Sequence, residues 1–190
     1  AGSPVQVDPT SGGCLPASLS DFYLRACTDV GVVGVVPDET WDQYVWLRNN
    51  FVHAVLPDFG EHERSCYISN VALYWLADDL IFKSDQDFDT LTRRYALAMF
   101  WFHFLDNKWN NECWWLTHTD DCEGWFGVSC TPEDPDGNAR LVTALELPAN
   151  NLKSSYLPTE LGLLRDLGKC KLRHVLLGQL NLLRYHASMM

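Results

Sequence analysis

The chain contains no uncharged apolar run of about 18 residues, the length that a bilayer-spanning helix requires, so no membrane span is expected. No Asn stands in an Asn-x-Ser/Thr frame, and no glycine-rich loop of the phosphate-cradling kind occurs. Basic residues are scarce: 14 Lys and Arg face 25 Asp and Glu, a formal charge of −11. A surface of that sign excludes broad contact with the phosphates of nucleic acids. The deficit is uneven. Before Glu160 there are 9 basic and 23 acidic residues, or −14, and from Glu160 onward 5 and 2, or +3. A small basic patch is therefore expected at the C-terminal end. The first residue is Ala1, with no charged n-region or apolar h-region behind it, which reads as a mature form or a fragment.

What is present is ordinary globular material. Of the 190 residues, 47 % are hydrophobic and 21 % charged, enough to bury a core in roughly one domain or slightly more. Seven cysteines (Cys14, Cys27, Cys66, Cys113, Cys122, Cys130 and Cys170) are many for a reducing compartment. Their odd number leaves at least one thiol unpaired or paired outside the chain.

Residues 1–20 are rich in Gly, Pro and Ser and are expected to be a poorly ordered lead-in. Gly31 to Pro37 reads as a loop or weak strand. Thr40 followed by Gln43 has the capping-box pattern, so Thr40 is expected to cap a helix. That helix carries Trp41, Tyr44, Val45, Val52, Val55 and Leu56 on one face and stops at Pro57. A second is expected from Ser69 or Asn70, with Val71, Tyr74 and Trp75 and a polar Asp78-Asp79 end. A third, from Asp89 or Thr90, carries Leu91, Tyr95, Met99 and Phe102. Its second half, Ala96 to Leu105, is apolar almost all round and should be buried on several sides. The fold class expected is mainly α with a small β part.

From Lys108 onward aromatic residues crowd together at Trp109, Trp114, Trp115, Trp125 and Phe126, with Cys113, Cys122 and Cys130 among them. Asp134 to Asn138 reads as a turn between short strands at Gly127–Cys130 and Leu141–Leu147. Chemistry finds little purchase here. Cys113, Cys122, Cys130 and His118 lack the close Cys spacing of a zinc site. Cys113 with His103 or His118 lacks a nucleophile motif. The pairs Asp78/Asp79 and Asp120/Asp121 are sequence neighbours that diverge, and are expected to be solvated helix and loop ends. Glu133 to Asn138 places its Gly too early for a calcium loop and lacks the closing Glu. No catalytic residue, metal or cofactor is expected. Eight tryptophans beside carboxylates leave open a sugar-binding surface or a small hydrolase pocket as the alternative.

Val142-x-x-Leu145-x-Leu147-x-x-Asn150-x-Leu152 fits the repeat template L-x-x-L-x-L-x-x-N-x-L, with Val for the first Leu. Leu145 and Leu147 would alternate inward from a strand, Asn150 would turn the chain and satisfy backbone groups, and Ala144 and Glu146 would face outward. Leu157 to Leu164 resembles the I-P-x-x-L-G-x-L segment that closes plant-type leucine-rich repeats. Cys122 to Cys130 resembles the C-x-W-x-G-V-x-C signature of their N-terminal cap, with one extra residue before the Trp. Trp75 to Asp79, Arg94 to Ala98 and Trp109 to Leu116 follow the order found in leucine-rich-repeat proteins of algae such as diatoms. The likeness covers about residues 70–164.

The resemblance implies three stretches: a helical lead at 1–68 with a disordered start, helices and the repeat cap at 69–140, and a first repeat with an atypical or truncated end at 141–190. It implies a Cys122–Cys130 disulfide, a repeat core of Val142, Leu145, Leu147, Asn150 and Leu152, and a ligand face at Ala144 and Glu146. The function implied is non-catalytic recognition of a protein, peptide or glycan, in an extracellular or lumenal setting. Two departures stand out. The stretch between Leu152 and Pro158 is one residue longer than the pattern and lacks its Gly. A second match, Leu167-x-x-Cys170-x-Leu172-x-x-Val175-x-Leu177, lies 25 residues after the first. The same residues also read as a helix with Leu172, Val175, Leu176, Leu180 and Leu183 on one face, and the helix is the preferred reading.

Overall fold

The computed structural model describes residues 37–56, 58–60, 65–82, 87–105, 109–133, 135 and 139–172. Helix α1 spans Asp38–Leu47, continues through a π-helical segment, Arg48–Val52, and ends in one α-turn, His53–Val55. Its N-cap is Pro37, whose φ of −53° suits a helix start, and Asp38 and Glu39 place carboxylates at the positive end of the helix dipole. Thr40 is therefore not the cap. It lies inside the first turn, buried, and its hydroxyl donates to Asp78 Oδ1 at 3.2 Å. Thr40, Tyr44, Leu47 and Phe51 form the buried stripe, while Val45, expected on that face, is exposed.

Helix α2, Ile68–Phe82, begins one residue earlier than expected and runs three residues beyond Asp79. Residues 70–77 are all buried, so it is the central helix. Tyr74 stacks on Tyr44 with ring centroids 4.0 Å apart. The Tyr44 hydroxyl donates to Asn70 Oδ1 at 2.7 Å, satisfying a polar group inside the helix pair. Helix α3, Phe88–His103, is capped by Asp87, which accepts from the Thr90 amide at 2.8 Å. Every residue from Arg93 to Phe102 is buried, in keeping with its all-round apolar second half.

Residues 109–127 follow without regular structure and are held by indoles. Trp114 and Leu116 adopt φ of 65° and 56°, left-handed values that cost non-glycine residues about 1–2 kcal/mol each. Between them Trp115 is fully buried, and its Nε1 donates to Phe126 O at 3.0 Å. Trp75 Nε1 donates to Leu116 O at 3.1 Å. The backbone strain is offset by the burial of a large aromatic ring that keeps its one donor satisfied.

Three strands, β1 (Val128–Cys130), β2 (Val142–Leu147) and β3 (Lys169–Leu172), form one sheet in the order β1-β2-β3. β1 pairs antiparallel with β2, as the two-strand reading anticipated. β2 pairs parallel with β3, Ala144 opposite Lys169 through Leu147 opposite Leu172, a constant offset of 25 residues. The preferred helical reading is thus corrected at Leu172, which lies in a strand; Val175, Leu176, Leu180 and Leu183 fall outside the described residues. A β-ladder overrides the helical pattern here because β2 offers an edge beside which residues 169–172 can pair. The connection crosses through a 3₁₀ turn, Thr159–Leu163, which packs against α3 and buries Leu161. Gly127 precedes β1 with φ +81°, and a Cβ there would lie 2.4 Å from Glu146 O. Only glycine fits this approach. One apolar core runs from Tyr44 to Leu164, continuous across residues 68–69 and 140–141.

Candidate functional site

Alternation along the sheet sorts its side chains. Leu145 and Leu147 are fully buried, Val142 and Leu152 nearly so, and all four belong to the core. Asn150 is 2 % exposed and turns the chain between Ala149 and Asn151, both at φ 58°. Its Oδ1 accepts from the Asn111 amide at 2.6 Å and its Nδ2 donates to Asn111 O at 2.7 Å. Asn150 thereby satisfies one residue's two backbone groups, in the irregular segment before the sheet.

The opposite sheet face carries Ser129, Ala144, Glu146, Lys169 and Lys171. Glu146 lies between two cations, with Lys169 Nζ at 2.8 Å and Lys171 Nζ at 3.3 Å from its Oε1. Hydrogen bonds from these ammonium groups hold its carboxyl below the usual glutamate range. Ala144, by contrast, is buried and contributes a floor, not an accessible contact. Lys169 and Lys171 belong to the basic C-terminal stretch, and the 25-residue offset places them beside Ala144 and Glu146. Cys170, between them, points to the other face, where burial pushes its thiol up to about 11.

A charge cluster ties α2, α3 and the irregular segment together. Arg94 is fully buried. Its Nη1 donates to Asp121 Oδ1 at 2.9 Å and Thr119 O at 3.1 Å, and its Nη2 to Asp79 Oδ1 at 2.9 Å and Thr117 O at 3.0 Å. Its Nε meets Asp79 Oδ2 at 2.6 Å as an ion contact, not an aligned hydrogen bond. The guanidinium sits 5.3 Å from the centroid of Trp75 and 5.1 Å from that of Trp125. Arg93 donates from Nε to Asp121 Oδ2 at 2.7 Å. Asp79 and Asp121 are therefore buried ion-pair partners, correcting the expectation that both acidic pairs are solvated ends. A signal existed: Arg93-Arg94 inside an apolar helix must find carboxylates, because unpaired charges are not tolerated in a core.

Cys122 and Cys130 form a disulfide, Cα to Cα 5.5 Å, beside Asp121. Cys66 and Cys113 are also disulfide-bonded. Among the described residues Cys170 is the free cysteine. The zinc set considered from sequence thus has no thiolate left, and Cys113 has no thiol to activate. The two histidines stand apart: His118 Nδ1 meets Asp79 Oδ1 at 3.1 Å, and His103 Nε2 donates toward Tyr156 O at 3.1 Å. Burial lowers the His103 pKa. The calcium-like stretch falls mostly outside the described residues. Of the eight tryptophans only Trp46 is exposed; those in the middle segment are buried or half-buried and pack on one another. No helix among the described residues is long and apolar enough to cross a membrane. No family model, curated protein or solved structure matches the chain.

Proposed function

We propose that this chain is the N-terminal part of a leucine-rich-repeat recognition module: a helical lead, a disulfide-closed cap and the first turns of a solenoid. The observation that carries the reading is the parallel β2–β3 ladder with its constant 25-residue offset, flanked on the other edge by the antiparallel cap strand β1. A repeat of that length, with leucines inward and Asn150 buried in the turn, is what a stacked array needs. The proposed ligand is a protein, peptide or glycan held without chemistry on the outer sheet face, where Glu146, Lys169 and Lys171 present fixed charges and Ala144 sets the depth. Disulfide-bonded cysteines favour an extracellular or lumenal compartment. A small hydrolase or carbohydrate-binding reading draws no support from the middle segment, whose indoles pack inward and whose Asp79 and Asp121 are engaged by arginines.

Peptide and glycan arrays probed with the chain, and with a Lys169→Glu, Lys171→Glu variant, test the proposal. The parent should give discrete signals that the charge-reversed face loses. Signals that survive the reversal, or arrays on which neither protein binds, argue against recognition by this face.

A further inference from the structure

A groove of about 370 Å³ opens between the last turn of α1, the first turn of α3 and the turn that follows the 3₁₀ segment. That size lies within the range of small-ligand sites, roughly 300–1,000 Å³. Its floor is apolar, formed by Val55, Phe88, Leu141 and Leu163. Phe88 and Leu141, both lining it, are 41 % and 39 % exposed and leave apolar surface open to a ligand. The apolar strip continues outward, because the exposed ring of Trp46 meets Phe88 at 6.4 Å.

Charges of both signs stand around this floor. Arg165, Asp89 and Asp166 line the groove, and none has an ion-pair partner among the described residues. Arg140 also lines it, donating from Nε to Thr131 O and from Nη1 to Glu123, which leaves its Nη2 available. Arg93 is committed to Asp121 and adds no free charge. The groove therefore offers guanidinium donors for a carboxylate, carboxylates for an ammonium, and an apolar surface between them. Guanidinium groups bind carboxylates in forked pairs, and a ligand carrying both charges adds no net charge to a chain of −11.

We propose that this groove binds a small zwitterion with a large apolar side chain, a free amino acid or a dipeptide. The ligand carboxylate pairs with Arg165 and Arg140, the ammonium with Asp89, and the side chain lies on Phe88 and Leu141. A dipeptide would place its second side chain toward Trp46. The site lies between the helices and the start of β2, and it shares no residue with the recognition face proposed above.

The test is titration of the intact chain, followed by the amide NMR shifts of Phe88, Leu141 and Arg165. The probes are phenylalanine, Phe-Phe, N-acetylphenylalanine and phenylalanine amide. At least one of the two zwitterions should saturate these shifts, and blocking either end should weaken binding by about tenfold or more. Arg165→Ala and Asp89→Asn, at exposed positions and with melting curves checked against the parent, should each lose at least as much. Phenylalanine binding as tightly as Phe-Phe assigns a free amino acid; a clear preference for Phe-Phe assigns the dipeptide. Blocked analogues that bind equally well, variants that bind like the parent, or no saturable shift with either zwitterion would each overturn the proposal.

Discussion

A guanidinium enclosed by two indole rings and two carboxylates is tolerated in a core only because partners surround it. Arg94 has four hydrogen bonds and one ion contact, divided among Asp79, Asp121 and the Thr117 and Thr119 carbonyls. Arg94→Met removes the cation and leaves two buried carboxylates short of a partner, Asp79 with His118 and Asp121 with Arg93. Breaking a buried pair from one side costs about 3–5 kcal/mol, so urea unfolding of this variant should show a loss of that order. A loss below about 1 kcal/mol would mean that the cluster is hydrated and contributes little. Glu146 sits at the other extreme, in solvent, where two lysines depress its carboxyl pKa. A depressed carboxylate is linked to stability that is present above the ordinary glutamate range and lost as pH falls through the folded-state pKa. NMR titration of the Glu146 side chain should therefore give a midpoint below that of a free glutamate. Lys169→Ala should move the midpoint back up; no movement would mean that the ammonium contact is absent in solution.

At the level of elements, β1 is only three residues long and depends on its attachments. Cys130 at its end is tied to Cys122 across a sequence separation of 8, and Gly127 at its start lets the chain pass against the β2 backbone. Closing a loop of this size restricts the unfolded chain by about 2–3 kcal/mol in the loop-entropy account. Cys122→Ser with Cys130→Ser should lower stability by roughly that amount, and non-reducing peptide mapping of the parent should recover the Cys122–Cys130 link. Recovery of both thiols freely alkylated from protein made under oxidising conditions would remove this contribution. A separate substitution, Gly127→Ala, forces a Cβ against Glu146 O at positive φ and should cost more than about 1 kcal/mol, read from the same unfolding curves. The capping-box pattern at Thr40 misled for a reason on the same scale: Pro37 sets the helix start three residues earlier, and Thr40 is then drawn to Asp78 on the neighbouring helix.

For the whole molecule the parallel strand is the decisive feature. A chain ending at Leu164 would lack β3 and uncover the β2 backbone from Ala144 to Leu147, an open edge of the kind that pairs with other chains. Light scattering across a dilution series should show concentration-dependent association of the shortened chain in excess of the full one. Equal scattering from both would mean that β3 does not protect this edge in solution.

What the sequence determined by itself were features with a short period or a local cause. These were three helices from apolar spacing, inward Leu145 and Leu147 from strand alternation, and a chain turn at Asn150 from the repeat template. Where partners are distant in the chain, local pattern could not decide. Residues 169–172 satisfy both a helical face and a strand, and the choice came from β2 lying alongside, 25 residues earlier. Asp79 and Asp121 look like surface carboxylates until α3 brings Arg93 and Arg94 between them. Ala144 looks like an accessible position until the neighbouring strands close around it. Burial of a charge or a small side chain depends on what packs against it from elsewhere in the chain, and only the tertiary structure decided that.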